Sequence, residues 1–479
     1  MTRADLKSFC CKPLSVCCIV LALISLALFF PSLRLFIVSS AERLLVHRPL
    51  RSPEKWSHVL LLCAGVMLFV SVAVASVSRV GIGEQGVGDL ALFSTILILA
   101  FVVQNCAMLI DTDLTGWFLD SVNLWDHYVS VLNGRRTHLG MYPPLATFIY
   151  RLYASMTPPE LLAGDWQQLA YSDAGSYLTL LYYLFSVIPF CLLCYDSVEG
   201  KKSEKLLLTL ALCCSTPFLY ALMRGNIVLF SCCAAFFFCR SRSSENAFVR
   251  AAGLLSLFVS VGTKLYPIAY AALLIKDRRW KDLKYCLATL ALLFVVFLNC
   301  FDGGLSEIWN MVRSISDFTS SFRQHHNISL KRQLWDILSA FGGEAGMGLF
   351  PAVNVVVHIA FLAASGILFF LTRKRWVELM LLTLSCLLLP GIVRPYTEVF
   401  LVIPIIEMVG CRKKDVFIHL SLLFLLPMML FICQLSVFIT FHSFLVTFPL
   451  FALCVGDVVS ERLSERRGGG TRAEVPADR

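Results

Sequence analysis

Apolar runs separated by short polar segments recur along most of the chain. They predict helices near 14–38, 58–78, 90–110, 174–195, 205–223, 226–239, 249–263, 265–275, 284–300, 348–371, 377–392, 396–410, 414–433 and 435–456, fourteen in all. A bilayer crossing takes about 20 residues, so the pattern predicts an all-α polytopic membrane protein. The runs at 226–239 and 265–275 are short. Irregular backbone survives at membrane depth only where protein or a water-filled cavity covers it, so these two predict half-helices or re-entrant segments beside a site. The first run, 13–38, is too long for a signal h-region and no small-x-small site ends it, which predicts a retained helix. The resulting division is N-terminal transmembrane helices over 1–110, an outer loop over 111–173 and a transmembrane bundle over 174–300. A second outer loop over 301–347, C-terminal transmembrane helices over 348–456 and a cytoplasmic tail over 457–479 complete it.

The first outer loop has a pattern of its own. Trp117, Leu124, Trp125, Tyr128, Val131 and Leu132 recur at helical spacing and predict an amphipathic helix lying in the interface, with Asp120 near its N-terminal end. A second such helix is expected over 143–155, opened by proline. The first proline of Tyr142-Pro-Pro-Leu145 disfavours helix at Tyr142, which predicts a shaped turn there.

Composition agrees with the pattern. The chain is 58% hydrophobic and 15% charged, against about 25% charged in soluble domains, and its mean hydropathy is +0.75. The net charge of +9 does not point to nucleic acid, because of where it lies. With a cytoplasmic N-terminus, 26 of the 41 Lys and Arg fall on the inner side and 14 on the outer, as the positive-inside rule requires. The segment 39–57, with Arg43, Arg48, Arg51 and Lys55, runs against the trend. This orientation collects Asp120, Arg224-Gly225-Asn226, Lys264, His325-His326 and Arg394 on the outer face. The 19 cysteines sit mostly inside apolar runs, as in Cys232-Cys233, and are read as small apolar side chains. Cys10 and Cys11 form a weak acylation pattern beside the membrane.

In the segment Asp120 to Gly134 an Asp opens an aromatic stretch that ends in Gly. Tyr142-Pro-Pro-Leu145 and, much later, Asn327-Ile-Ser-Leu330 follow. These blocks resemble the polyprenyl-phosphate-dependent glycosyltransferases of the GT-C fold, and among them glycosyltransferase family 87, a bacterial mannosyl- and arabinofuranosyl-transferase-like group. A second resemblance is to the first mannosyltransferase of glycosylphosphatidylinositol synthesis. It rests on Asp126, six residues after Asp120, on Arg224-Gly-Asn226 and on Lys264-Leu-Tyr-Pro267. The resemblance spans roughly 110–400. Two extra helices precede the usual first one, and Glu398 stands where a polar aromatic residue or His is expected.

The resemblance implies a GT-C type bundle of about 11–14 transmembrane helices and an inverting transfer of a hexose, with mannose favoured, from a lipid-phosphate donor. The acceptor would be a glycolipid or glycan at the extracytoplasmic face. The favoured membrane is the bacterial inner membrane, with the endoplasmic reticulum as the alternative. The attacking hydroxyl needs a general base, for which Asp120 is the candidate; a helix cap is its plainer role. Asp126 and Tyr142 would support the acceptor or the loop. Lys264, Arg224, Arg394 and His326 would meet the donor phosphate, although cations at helix ends also snorkel. Lys264 stands out because a cation between two short apolar segments is expensive without an anion. Asp111-x-Asp113 lacks a nucleotide-binding fold around it, and a lipid monophosphate needs no diphosphate neutralised, so neither a metal nor another cofactor is expected. Asn327-Ile-Ser329 also reads as a glycosylation sequon. The rival function is a transporter or flippase for a lipid-linked sugar, which would account for broken helices and a buried lysine.

Overall fold

The computed structural model describes residues 124–134, 140–199, 202–213, 215–320, 327–341, 343–411 and 439–467. Asp111, Asp113, Asp120, His325, His326, Cys10, Cys11 and the predicted helices before residue 124 and over 414–433 lie outside the described residues. Those described are helical, with no strand among them.

The chain enters through helix α1, Trp125–Asn133, and turns into α2, Pro144–Ser155. Two single-turn helices lead to α3, Asp173–Asp196, a 24-residue helix with a π segment at Tyr183–Val187. Helices α4 (Lys202–Cys213), α5 (Thr216–Arg224), α6 (Val228–Ser241) and α7 (Ala247–Thr263) follow. A 3-10 turn at Tyr266–Ala271 leads to α8, Ala272–Lys276, and then α9, Trp280–Leu298. The later helices are α10 (Glu307–Ser320), α11 (Leu330–Phe341), α12 (Gly343–Leu371), α13 (Arg375–Leu388), α14 (Val402–Cys411) and α15 (Ile439–Arg467).

The core lies where α6, α13 and the 3-10 turn Pro395–Leu401 meet. Trp376, Phe236, Phe238 and Phe400 are fully buried there. Helix α7 packs antiparallel on α6. Ser231 and Ser260 exchange hydrogen bonds, each hydroxyl donating to the other's carbonyl at 2.9 and 2.8 Å. Such small hydroxyl residues let two helix backbones approach closely where the lining is otherwise apolar.

Several expectations change. The run expected as one helix over 205–223 is two, α4 and α5, with Pro217 in the first turn of the second, a position that needs no N–H. The segment expected at 396–410 begins as 3-10 helix, again opened by proline. The loop expected over 301–347 holds two amphipathic helices, α10 and α11. The tail expected from 457 continues α15 as far as Arg467. The amphipathic helix expected from Trp117 begins at Trp125, with Leu124 before it in the left-handed region at φ 50°. Asp126 occupies the first turn of the helix described.

Among the described residues two helices are long and apolar enough to cross a membrane, Asp173–Asp196 and Met347–Leu371. Val228–Ser241, Ala247–Thr263 and Tyr266–Lys276 are apolar but shorter. Proline-opened 3-10 turns and tight reversals break what reads in sequence as near-continuous apolar runs.

Candidate functional site

The site grows from a helix end. Helix α5 stops at Arg224 in a Schellman turn. Gly225 N–H bonds the Leu222 carbonyl at 3.0 Å and Asn226 N–H bonds the Ala221 carbonyl at 3.2 Å. Gly225 has φ +62°, and a Cβ there would stand 2.8 Å from His127 Cβ. Only glycine satisfies both the left-handed backbone and the close approach of α1. The turn thus holds α1 against α5 and points Arg224 and Asn226 at the same neighbour, Asp126.

Asp126 is gripped on both carboxylate oxygens. Arg224 Nη2 donates to Oδ1 at 2.5 Å and Asn226 Nδ2 to Oδ2 at 2.9 Å. Asn226 Nδ2 also faces the Tyr396 hydroxyl at 3.2 Å and the Tyr142 hydroxyl at 3.5 Å. Its Oδ1 accepts from the Val228 N–H at 3.0 Å, which fixes the amide's orientation. The Arg224 guanidinium lies 4.7 Å from the centroid of the Trp125 ring, a cation–π contact that keeps its face dry.

Lys264 arrives from the other side, in the turn that ends α7. A Cβ on Gly262 would meet Leu145 Cδ2 at 2.9 Å, so this glycine lets the Tyr142-Pro-Pro-Leu145 turn seat against α7. The Lys264 ammonium then lies 4.5 Å from the Tyr142 ring centroid. Burial pulls the Lys264 pKa down to about 8, and the negative charge of Asp126 opposes the fall. Burial, and then the Asp126 charge, push the Tyr142 phenol well up, so it stays a neutral donor.

Arg394 caps the 3-10 turn that carries Tyr396, and its charge reaches the Tyr396 phenol. The backbone before it is latched by Asn327. Asn327 Oδ1 accepts from Val393 N–H at 2.9 Å, and its Nδ2 donates to the Gly391 carbonyl at 3.1 Å. Ser329 Oγ donates to the same carbonyl at 3.0 Å. Asn327 is 1% exposed, so in the folded chain the sequon reading of Asn327-Ile-Ser329 fails: the amide that would carry a glycan is buried and committed.

Asp126, Tyr142, Arg224 and Lys264 therefore converge, Arg394 borders them, and Asp120 and His326 lie outside the described residues. Asn226 and Tyr396 had no predicted role, although each stands two residues after an arginine expected at the donor phosphate. The signal was present: an Asn directly after Arg-Gly and a Tyr directly after Arg-Pro share their neighbours' destinations. Two cations, Arg224 and Lys264, act on one carboxylate that Arg224 already pairs, and Arg394 lies beside Tyr396 at the border. With tyrosine hydroxyls as added donors, such a concentration suits an oxyanion. Among the described residues no group of three His, Cys, Asp or Glu side chains is placed to hold a metal ion.

The family model of glycosyltransferase family 87 matches residues 141–395, more than half of the chain. The matched segment contains Tyr142, Arg224, Asn226, Lys264, Asn327 and Arg394. No curated protein and no solved structure matches the chain.

Proposed function

The chain belongs to glycosyltransferase family 87, and from that premise we propose that it transfers a hexose from a polyprenyl-phosphate-linked donor to a glycolipid at the extracytoplasmic face of a membrane. Mannose is the favoured sugar, the bacterial cell membrane the favoured location and inversion at the anomeric carbon the expected outcome. The observation that carries this reading is the excess of cations around Asp126. Arg224 and Lys264 converge from two helix ends on one carboxylate that Arg224 already pairs. A leaving lipid phosphate would supply the missing negative charge there, with Arg394 beside it; His326, outside the described residues, keeps its proposed role as a further donor to the phosphate.

Asp126 already accepts a hydrogen bond on each oxygen, from Arg224 and from Asn226. Its role is to hold Arg224 and Asn226 in place. Asp120 remains the proposed base, taking the proton of the acceptor hydroxyl as that oxygen attacks the anomeric carbon and the phosphate leaves. Electrostatic stabilisation of the departing phosphate by fixed side chains would make a metal ion unnecessary.

A membrane setting for a multi-pass chain is supported by α12, whose Val355, Val356, Ile359 and Leu362 are exposed along one apolar helix. Patches of this kind are rare on soluble monomers. The test is transfer from radiolabelled polyprenyl-phosphate-mannose into a membrane lipid extract by purified protein in detergent with EDTA, native against Asp120→Asn. Label moving into a new lipid with the native chain alone supports the reading; transfer by both proteins removes Asp120 as the base. No transfer from mannose, glucose or arabinose donors overturns the reading.

A further inference from the structure

Asp126 and His127 are neighbours on α1, and about 100° of helical rotation separates their directions. Asp126 faces the cations. His127 faces Tyr150, Tyr153 and Tyr182, with ring centroids 6.1, 5.6 and 5.4 Å away. With these tyrosines and Ile149, Phe185 and Ile227 it lines a cavity of about 230 Å³. Leu152 and Phe185, also in the lining, are about half exposed, so the cavity reaches the surface beside them. Phe185 belongs to the π segment of α3, one of the two helices long and apolar enough to cross a membrane. The cavity therefore opens on a face that a bilayer would cover, and π segments of this kind recur at functional sites.

Beside the tyrosine and Ser186 hydroxyls of this mostly apolar lining stands one ring nitrogen without a partner. His127 hydrogen-bonds the backbone of Leu178, an interaction that favours its protonated form. The imidazole is thus the donor, to the carbonyl. The other ring nitrogen, Nε2, has no hydrogen-bond partner. Burial lowers the His127 pKa to about 4, with the Leu178 bond opposing, so at neutral pH Nε2 is an unprotonated acceptor. An isoprenoid chain has no hydrogen to offer it, whereas a lipid with a hydroxyl near its chain does. The cavity is also tied to the cation cluster: the Tyr182 hydroxyl lies 3.2 Å from the carbonyls of both Ala221 and Asn226.

We propose that this cavity seats the hydrocarbon chain of the acceptor lipid, with His127 Nε2 accepting a hydrogen bond from a hydroxyl close to that chain. The proposal rests on the transferase reading above. It makes α1 a partition with the donor phosphate on its Asp126 side and the acceptor chain on its His127 side.

The test is photo-crosslinking of the full-length protein in detergent, without sugar donor. It uses two probes: a diazirine-bearing diacylglycerol with a free hydroxyl, and a diazirine-bearing polyprenyl phosphate. The expected result is labelling of peptides from α2 and the π segment of α3 by the diacylglycerol probe. That labelling should fall about tenfold in Ile149→Trp, which fills the cavity, and about fivefold in His127→Phe, which removes one hydrogen-bond acceptor. Thermal unfolding of both variants reports whether they fold. Preferential labelling of these peptides by the polyprenyl phosphate, or labelling by diacylglycerol that Ile149→Trp leaves unchanged in a folded protein, would overturn the proposal. Because no turnover is involved, either outcome is distinct from failure of the transfer assay.

Discussion

Asp126 and Arg224, 98 residues apart in sequence, meet at 2.5 Å through Oδ1 and Nη2. Their side chains retain 10% and 25% of their exposure. Removing one member of such a pair strands the other's charge away from water. Asp126→Asn and Arg224→Gln should each lower stability by about 3 kcal/mol. The double variant should cost less than the sum, with a coupling of about 1 kcal/mol or more. Thermal or denaturant unfolding of the four proteins in detergent measures this directly, and strictly additive losses would show that the pair contributes no coupling.

Lys264 should give pH effects of opposite sign on binding and on stability. Its pKa falls from 10.5 unfolded to about 8 folded. In the free protein the ammonium that attracts phosphate is present below pH 8 and lost above it, so kcat/KM for transfer should decline above about pH 8. Bound phosphate favours the charged form, so the corresponding limb in kcat should lie higher. Between pH 8 and 10.5 the unfolded chain holds more protons at this site than the folded one, so the contribution of Lys264 to stability rises with pH there. Lys264→Arg, which does not titrate in this range, should flatten the alkaline limb of kcat/KM.

Asn327 is expected to be structural and unglycosylated. Asn327→Ala leaves the Val393 N–H and the Gly391 carbonyl without their partner and should cost about 1–3 kcal/mol. Glycosidase treatment of protein made in a eukaryotic secretory pathway should not change its electrophoretic mobility through this site. A mobility shift abolished by Asn327→Gln would contradict the latch.

Gly225→Ala combines a left-handed backbone with a Cβ 2.8 Å from His127 Cβ. A loss of at least 1 kcal/mol follows from the backbone alone, and displacement of α1 should lower transfer further. Unfolding and rate measured together check this. A variant with native stability would mean that the turn relaxes without cost.

The fold class and the cluster were legible to different depths. Tyr142, Arg224 and Lys264 stood out because each sits where an apolar run breaks, and a break that keeps a charge or a ring has a reason to keep it. Asn226 and Tyr396 follow directly on such breaks, but their importance depends on which turn folds onto which. Helix ends were misplaced where proline starts a new turn without interrupting hydrophobicity, as at Pro217 and Pro395, since a hydropathy pattern does not register backbone hydrogen bonds. His127 was invisible for a different reason. A histidine beside an aspartate on an amphipathic helix reads as part of its polar face, and only the packing shows the two side chains serving different neighbours.

The Asn226 amide carries two hydrogens, yet three oxygens stand within its reach. The shortest contact takes one hydrogen, and Tyr142 and Tyr396 compete for the other. Those tyrosines come from segments more than 250 residues apart. The cluster therefore holds one more oxygen than this amide has hydrogens, so an incoming oxyanion that draws either phenol toward itself leaves the amide with a second partner in place.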